Sequence, residues 1–139
     1  MMDQESLEIK RLINLRHELH QYPEVSNQEK KTAERITQFL KSTSPDEIIN
    51  DIGQYGVAAI YHGKQNGSTV MIRCELDALP IQEINQMVYQ SVHEGVAHKC
   101  GHDGHMSIVC GVADLLAKNR PASGRVILLF QPAEETGEG

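Results

Sequence analysis

The sequence predicts an α/β fold in which a mixed sheet is flanked by helices. Two helical patterns come first, three short strand patterns follow, and one more helix and strand complete the order ααβββαβ. This mixture of elements is typical of a sheet that helices cover. The 139 residues fit a single domain. No internal repeat or low-complexity segment divides the chain.

The first element is predicted to be a helix from about Asp3 to Gln21, which Tyr22-Pro23 ends. Its apolar residues fall on one side: Ile9, Leu12, Ile13 and Leu19. A second helix follows the segment Ser26 to Glu29, which fits a capping box because a serine hydroxyl and a glutamate carboxylate can accept orphan backbone N–H groups. Its apolar residues recur at helical spacing: Ala33, Ile36, Phe39 and Leu40.

Three β-branched segments bounded by Gly or Asn then predict strands: Ile48-Ile49, Val57 to Tyr61 and Thr69 to Arg73. The segment Gly63 to Gly67 is interpreted as a hairpin connection between the second and third strands. Residues 80–99 have no clear period and predict a long loop. Long loops in compact domains are often functional.

The last two elements are a helix from about Asp103 to Lys118 and a strand from Arg125 to Phe130. The inward side of the helix is predicted at Met106, Val109, Cys110, Ala113 and Leu116. The strand is a continuous apolar run, which is typical of a strand that is covered on both faces.

Composition argues against several classes of partner. The formal net charge is −6 and no block of Lys and Arg offers a stripe for phosphates, so nucleic acid is not expected to bind. The sequence has no apolar run of about 18 residues that would span a membrane. The N-terminus, Met1 to Glu5, lacks the regions of a signal peptide. Three cysteines then favour reduced thiols in the cytoplasm over a disulfide framework.

The most informative segment is Cys-Gly-His-Asp-Gly-His, from Cys100 to His105. Cys100 and His102 stand two residues apart in a turn and can point at one ion. A thiolate with an imidazole suits Zn²⁺ and its later first-row neighbours. Asp103 is a candidate helix N-cap, partner of a ligating histidine, or ligand. The alternative is a buried cysteine beside capping polar residues.

Two acidic clusters follow predicted strands and strengthen the metal hypothesis. Glu134 and Glu135 come directly after the last strand, where functional groups gather in open α/β sheets. One carboxylate can bind a metal while the other takes a proton from water that the metal activates; the alternative is a solvated loop. Asp77, with Glu75 on the same face, could orient a ligating imidazole, or it marks a strand-terminating turn.

The remaining histidines and cysteines carry weaker signals. His17 and His20 lie three apart on the first helix and are interpreted as surface or packing residues, because no nearby acidic pattern completes a site. His105 is a candidate for capping, packing or binding a substrate carboxylate. Cys74 and Cys110 are predicted to be small core residues.

Four segments also match one known family, in the family's order. They are Leu19 to Ser26 followed by Glu29 and Thr32-Ala33; Asp77 to Ile81; His98 to His105; and Gly124-Arg125-Val126 through Phe130 to Glu135. These segments resemble the N-acyl-amino-acid amidohydrolases of bacteria and plants, a group that includes hippurate hydrolases and auxin-conjugate hydrolases. The matches cover nearly the whole chain, and four ordered motifs are highly specific.

The resemblance implies a metal-dependent hydrolase of N-acyl amino acids with a zinc-peptidase-like catalytic domain. It implies two divalent ions in the complete site, from among Zn, Mn, Co and Ni. By position, it implies that Cys100, His102 and Glu135 are metal ligands, that Glu134 is the general base, and that Asp77 is a supporting catalytic residue. Glu75 stands where the family usually has Asp.

Family members run to several hundred residues, so the resemblance implies that residues 1–139 are the N-terminal portion of a catalytic domain. Further histidine ligands and a smaller covering domain, which often dimerises, are expected outside this sequence. We therefore expect little or no turnover from the chain alone. Exposed strand edges favour association, so we also expect homo-oligomers or poor solubility.

Two other hypotheses remain open. One is a non-catalytic metal-binding or interaction module derived from the same fold. The other is a thiol hydrolase that uses Cys100 with His102 or His105. The second is the weaker, because the sequence offers no oxyanion motif and residues at i and i+2 are poorly placed as nucleophile and base.

Overall fold

A computed structural model describes residues 4–139, in which the elements follow the predicted order. The helices are α1 (Gln4–Gln21), α2 (Lys30–Lys41) and α3 (His102–Lys118). The strands are β1 (Glu47–Ile52), β2 (Gly56–His62), β3 (Gln65–Glu75) and β4 (Ser123–Gln131). The predicted α/β class is therefore confirmed. Asp3, the predicted start of the first helix, lies outside the described residues.

The strands form one mixed sheet in the order β1-β2-β4-β3. β2 pairs antiparallel with both β1 and β4, whereas β3 and β4 are parallel. α3 supplies the crossover that parallel strands require. The hairpin predicted at Gly63 to Gly67 is wrong, because β4 lies between β2 and β3. The segment instead crosses the end of β4, where a Cβ on Gly67 would lie 2.8 Å from the Gly124 nitrogen.

The main core lies between the helices and one face of the sheet. The sheet contributes alternate residues to it: Val57, Ala59, Tyr61, Cys74, Leu128 and Phe130. The predicted inward residues of α2 and α3 are buried there, with Leu116 only partly buried. β4 is less covered than its apolar sequence predicts, because Ile127 and Leu129 on its other face are only half-buried.

The buried side of α1 differs from the prediction. Leu12, Leu15 and Leu19 face the core at positions i, i+3 and i+7. Ile9 and Ile13 were wrongly assigned to this side, since they are 53% and 47% exposed. The core-facing stripe of α1 is thus narrower than the apolar pattern predicts.

The predicted capping box at the start of α2 does not form. The Ser26 hydroxyl donates to Asp77 Oδ2 at 2.7 Å, and Glu29 occupies the N-cap position without a side-chain capping hydrogen bond. Glu24 fills that role, because its Oε2 accepts the Thr32 N–H at 2.7 Å. Ser26 and Glu29 are engaged by later segments of the chain, so neither is available to cap the helix.

Residues 80–99 form the predicted long loop, which an isolated bridge between Leu79 and Ala97 closes at its base. Within residues 4–139, every helix is too short or too polar to cross a lipid bilayer. The loop brings the chain from the end of β3 to the start of α3, beside the candidate site.

Candidate metal centre

The candidate site lies where two parallel strands end and α3 begins. Glu75 and Gln131 are register partners at the carboxyl ends of β3 and β4, so the segments that follow these strands meet at one edge of the sheet. Gly101, with φ of 81°, makes the left-handed turn that starts α3 at His102. The fold thus brings the three predicted motifs together.

Three of the predicted residues form a group of potential metal ligands. Cys100, His102 and Glu135 each offer one ligand atom, and these atoms all lie within 4.8 Å of one another. Cys100 is exposed, whereas His102 is buried. A thiol, an imidazole and a carboxylate are a donor set for zinc and its first-row neighbours.

The tautomer of His102 follows from its partner. Its Nδ1 lies 2.7 Å from the Asp77 carbonyl oxygen, which can only accept a hydrogen bond, so Nδ1 must donate. The other ring nitrogen, Nε2, is therefore the one that can bind a metal. A ligating histidine whose second nitrogen donates to a backbone carbonyl is the usual arrangement at metal sites.

Three carboxylates surround that second nitrogen. The distances from His102 Nε2 are 3.6 Å to Glu135, 3.8 Å to Glu134 and 3.9 Å to Glu75. Burial opposes a charged ring, but Asp77 and Glu75 outweigh it and raise the pKa of His102 to about 9. The surroundings of Nε2 thus strongly favour a positive charge, which is the electrostatic environment that a cation needs.

Asp77 connects the motifs without belonging to the ligand group. Its fully buried carboxylate accepts the Ser26 hydroxyl at 2.7 Å and the Glu135 N–H at 2.9 Å through Oδ2. Burial alone would raise its pKa, but the adjacent His102 ring and the hydrogen bonds from Glu135 and Ser26 hold that pKa well below the ordinary range. Asp77 is therefore an anion that fixes both His102 and the segment that carries Glu135.

A divalent metal fits these residues. Glu135 Oε1 is buried and has no hydrogen-bond partner in the part of the chain that the structure describes, which is the state expected of an oxygen that a cation would satisfy. The pKa of the Cys100 thiol is raised, chiefly by the adjacent Glu135 carboxylate and then by partial desolvation. A cation among these groups would reverse that effect, because it favours the thiolate over the thiol.

Glu75 and His105 form a second group of potential ligands that shares His102. His105 Nδ1 lies 2.9 Å from Glu75 Oε2, and Arg73 approaches Glu75 to 3.2 Å from the outside. His105 is therefore engaged by the site and does not cap α3. The sequence had left its role open.

Comparison with known proteins shows which family this chain resembles. Residues 71–139 match the model of peptidase family M20/M25/M40. The B. subtilis YXEP protein, whose solved structure is described as a dinuclear metal-binding peptidase of the M20 family, superposes with a TM-score of 0.87 and 39% identity over 93% of this chain. This chain is similar to M20 peptidases in sequence and in fold. A putative aminohydrolase from methicillin-resistant Staphylococcus aureus superposes equally well, with a TM-score of 0.88 and 36% identity over 97% of the chain.

Curated relatives have similar sequences along nearly the whole chain. The N-acetyl-L-cysteine deacetylase of Bacillus subtilis is 42% identical over 94% of this chain, and the N-acyl-L-amino acid amidohydrolase of Geobacillus stearothermophilus is 40% identical over 95% of it. The chain covers 31% and 38% of those two proteins, and 36% of YXEP. It thus spans about a third of the length of its relatives.

One buried network beside the candidate metal centre was missed in the sequence. His20, interpreted as a surface or packing residue, is buried between two carboxylates: its Nδ1 lies 2.7 Å from Asp103 Oδ2, and its Nε2 lies 3.0 Å from Glu83 Oε1. Arg16 Nε also contacts Asp103, at 2.9 Å. Asp103 is therefore not the N-cap of α3, a position that Gly101 takes. The acidic partners are 63 and 83 residues away in sequence, so spacing gave no signal.

His98 is a second buried histidine that the motif alone did not explain. It is 5% exposed, and neither ring nitrogen has a hydrogen-bond partner among the described residues. Burial lowers its pKa to about 4, so the ring is neutral. The core prediction for Cys74 and Cys110, in contrast, is confirmed.

Proposed function

We propose that this chain is the N-terminal portion of the catalytic domain of a metal-dependent amidohydrolase that hydrolyses N-acyl amino acids to a carboxylate and a free amino acid. The observation that carries the proposal is the meeting of a thiol, an imidazole and a carboxylate within 4.8 Å, beside a further carboxylate on Glu134. The names of the relatives, which include an N-acetyl-L-cysteine deacetylase and an N-acyl-L-amino acid amidohydrolase, support the substrate class.

Cys100, His102 and Glu135 would hold an ion from among Zn²⁺, Mn²⁺, Co²⁺ and Ni²⁺, since Mg²⁺ and Ca²⁺ prefer oxygen ligands. The dinuclear description of YXEP supports a second ion in the complete site. When bound, such ions act as Lewis acids that lower the pKa of water and stabilise negative charge on a carbonyl oxygen. An exposed thiol at Cys100 is preserved best in a reducing compartment, which supports a cytoplasmic location.

Glu134 is the proposed general base. Its side chain is 37% exposed, compared with 18% for Glu135, so it is the carboxylate that can more readily exchange protons with water. It would take a proton from the attacking water and return that proton to the leaving amine. Asp77 would keep His102 oriented, with Nε2 toward the site.

A non-catalytic metal-binding module is the second candidate. It is favoured by the three-residue ligand group, which can hold an ion without taking part in a reaction. The thiol hydrolase hypothesis is disfavoured, because the raised pKa of Cys100 reduces the thiolate that would attack.

Two measurements on the purified chain test the proposal. Calorimetric titration with Zn²⁺, Mn²⁺, Co²⁺ and Ni²⁺ should show binding that Cys100→Ser weakens and Glu134→Gln leaves within a few-fold. Amino acid release from N-acetyl and N-benzoyl amino acids should be weak in the chain alone, and Glu134→Gln should reduce it about 10²-fold or more. No binding of any ion would contradict the proposal, and tight binding without any hydrolysis would favour the second candidate.

A further inference from the structure

A fully buried carboxyl on the N-terminal half of the chain contacts the segment that carries the two acidic site residues. We propose that Glu29 is a positioning residue: by accepting the Ala133 N–H, it holds the turn that directs Glu134 and Glu135 toward the metal centre. This inference rests on the proposed metal-dependent function. It assigns a role to a residue that lies outside both groups of potential metal ligands.

The backbone at Ala133 needs support. Its φ is 48°, in the left-handed region that residues with a Cβ rarely adopt. Such a conformation persists only when surrounding contacts hold it. The residue immediately precedes Glu134 and Glu135, so a change of backbone conformation here would redirect both carboxylates.

Glu29 supplies the required contact from a distant part of the chain. Its Oε1 accepts the Ala133 N–H at 2.7 Å across 104 residues of sequence. Glu29 is 0% exposed, and within residues 4–139 its Oε2 has no hydrogen-bond partner. It stands at the N-cap of α2 but makes no capping hydrogen bond, so helix capping does not account for a buried carboxyl at this position.

A second buried carboxylate holds the other side of the same turn. Asp77 Oδ2 accepts the Glu135 N–H at 2.9 Å. The Ala133 carbonyl oxygen accepts the N–H groups of Glu138 and Gly139, both at 3.1 Å. Glu134 therefore lies between two backbone N–H groups that are each anchored to a buried carboxyl. Glu29 and Asp77 together fix the proposed base, Glu134, relative to the proposed ligand, Glu135.

Two substitutions separate this role from charge and from packing. Glu29→Gln keeps the length and the carbonyl acceptor but removes the ionisable group. Glu29→Met keeps a similar length and removes the acceptor. If Glu29 acts through its hydrogen bond, Glu29→Gln should keep metal binding and Glu29→Met should lose it. A role for charge predicts that both variants lose metal binding, and a role in packing predicts that neither variant does.

Cobalt binding by the 139-residue chain is the readout, followed through the thiolate-to-Co²⁺ absorption band at temperatures below the melting transition of every variant. We expect Glu29→Gln to bind within threefold of the unsubstituted chain and Glu29→Met to bind at least tenfold more weakly with an altered band. Binding by Glu29→Met within threefold of the unsubstituted chain, or equal weakening by Gln and Met, would overturn the inference. Failure of the unsubstituted chain to bind Co²⁺ would instead count against the proposed function.

Rescue by glycine tests the turn itself. Glycine adopts positive φ without a steric penalty, so Ala133→Gly should restore Co²⁺ binding by the Glu29→Met chain to within about threefold of the Ala133→Gly single variant. Absence of rescue would show that Glu29 does not act by holding the backbone conformation of Ala133. Should Glu29→Met fail to fold, amide hydrogen exchange decides: the Ala133 N–H should be protected in the unsubstituted chain and in Glu29→Gln, and rapid exchange in either would refute the contact.

Discussion

At the residue scale, the Asp77 carboxylate connects three parts of the site. Oδ2 accepts hydrogen bonds from Ser26 and from the Glu135 backbone, while Oδ1 lies 3.4 Å from His102 Nδ1. The Asp77 carbonyl oxygen accepts the hydrogen bond that sets the tautomer of His102. One residue thus orients one proposed ligand through its side chain and another through its backbone.

Asp77→Asn should therefore weaken metal binding although Asp77 is not a ligand. An amide cannot accept at both of its polar atoms, so its NH₂ group would face either the donors at Oδ2 or the His102 ring. We expect the Zn²⁺ dissociation constant from calorimetry to rise about 10- to 100-fold. Glu47→Gln, the same acid-to-amide change at an exposed position in β1, serves as the control. Equal affinities in all three chains would contradict the role given to Asp77.

The ligand group could be predicted from sequence, but its supporting residues could not. Cys100 and His102 are close in sequence, and Glu135 directly follows a strand, so spacing and strand position bring them to the same edge. Glu29 and His20 reach the site only because the fold packs α1 and the start of α2 against segments from the second half of the chain. Their partners are 104 and 83 residues away, a distance over which a local pattern carries no information.

At the element scale, the loop of residues 80–99 is held by one carboxylate. Glu83 is 3% exposed and accepts hydrogen bonds from Lys99 Nζ at 2.7 Å and the Ser91 N–H at 2.8 Å, and His20 Nε2 lies 3.0 Å away. Burial opposes its ionisation, but these partners outweigh burial and lower the pKa of Glu83 to about 2. The long loop is therefore tied to α1 and to the residue before Cys100.

The depressed pKa of Glu83 predicts how the stability of the chain depends on pH. A carboxylate with a folded-state pKa below its ordinary value of 4.5 stabilises the fold above that pH, and the contribution is lost as pH falls toward 2. Glu83→Gln should lower the free energy of unfolding by about 3 kcal/mol at pH 7, the scale for breaking a buried ion pair. The difference from the unsubstituted chain should shrink steadily between pH 4.5 and 2.

Urea unfolding at several pH values checks this dependence. Glu94→Gln is the control, because Glu94 is exposed in the same loop and should change the free energy of unfolding by less than about 0.5 kcal/mol without a pH trend. A difference between the unsubstituted and Glu83→Gln chains that stays constant from pH 7 to pH 3 would contradict the assignment.

Helices and strands could be predicted where a local residue pattern defines them. The pairing of the strands could not be predicted in this way. The inward side of α3 follows from helical spacing, and all its predicted residues except Leu116 are fully buried. The segment Gly63 to Gly67 has the composition of a hairpin, yet β4 pairs with both β2 and β3. Strand order depends on which apolar strand takes the centre of the sheet, and that competition involves residues about 60 positions apart, such as Met71 and its register partner Ile127.

At the scale of the whole molecule, the described sheet has edge strands at β1 and β3, of which β3 is the longer. The 11 residues Gln65–Glu75 pair with β4 on one side, and no strand within residues 4–139 pairs on the other. Val70 and Met71 are 54% and 56% exposed at this edge. A long edge strand with exposed apolar side chains is a template for pairing with another chain. The β3 edge is therefore the surface through which we expect the predicted homo-oligomers to form.

Val70→Lys should shift such oligomers toward monomer, because a charge on an edge strand opposes strand pairing while the exposed position costs little stability. Light scattering coupled to size-exclusion chromatography should show the unsubstituted chain as concentration-dependent oligomers and Val70→Lys at lower mass. Val88→Lys makes the same substitution at a loop residue that is 98% exposed, and it should leave the mass unchanged. If both variants reduced the mass equally, added charge would be the cause and the β3 edge would not be the interface; a monomeric unsubstituted chain at every concentration would remove the prediction altogether.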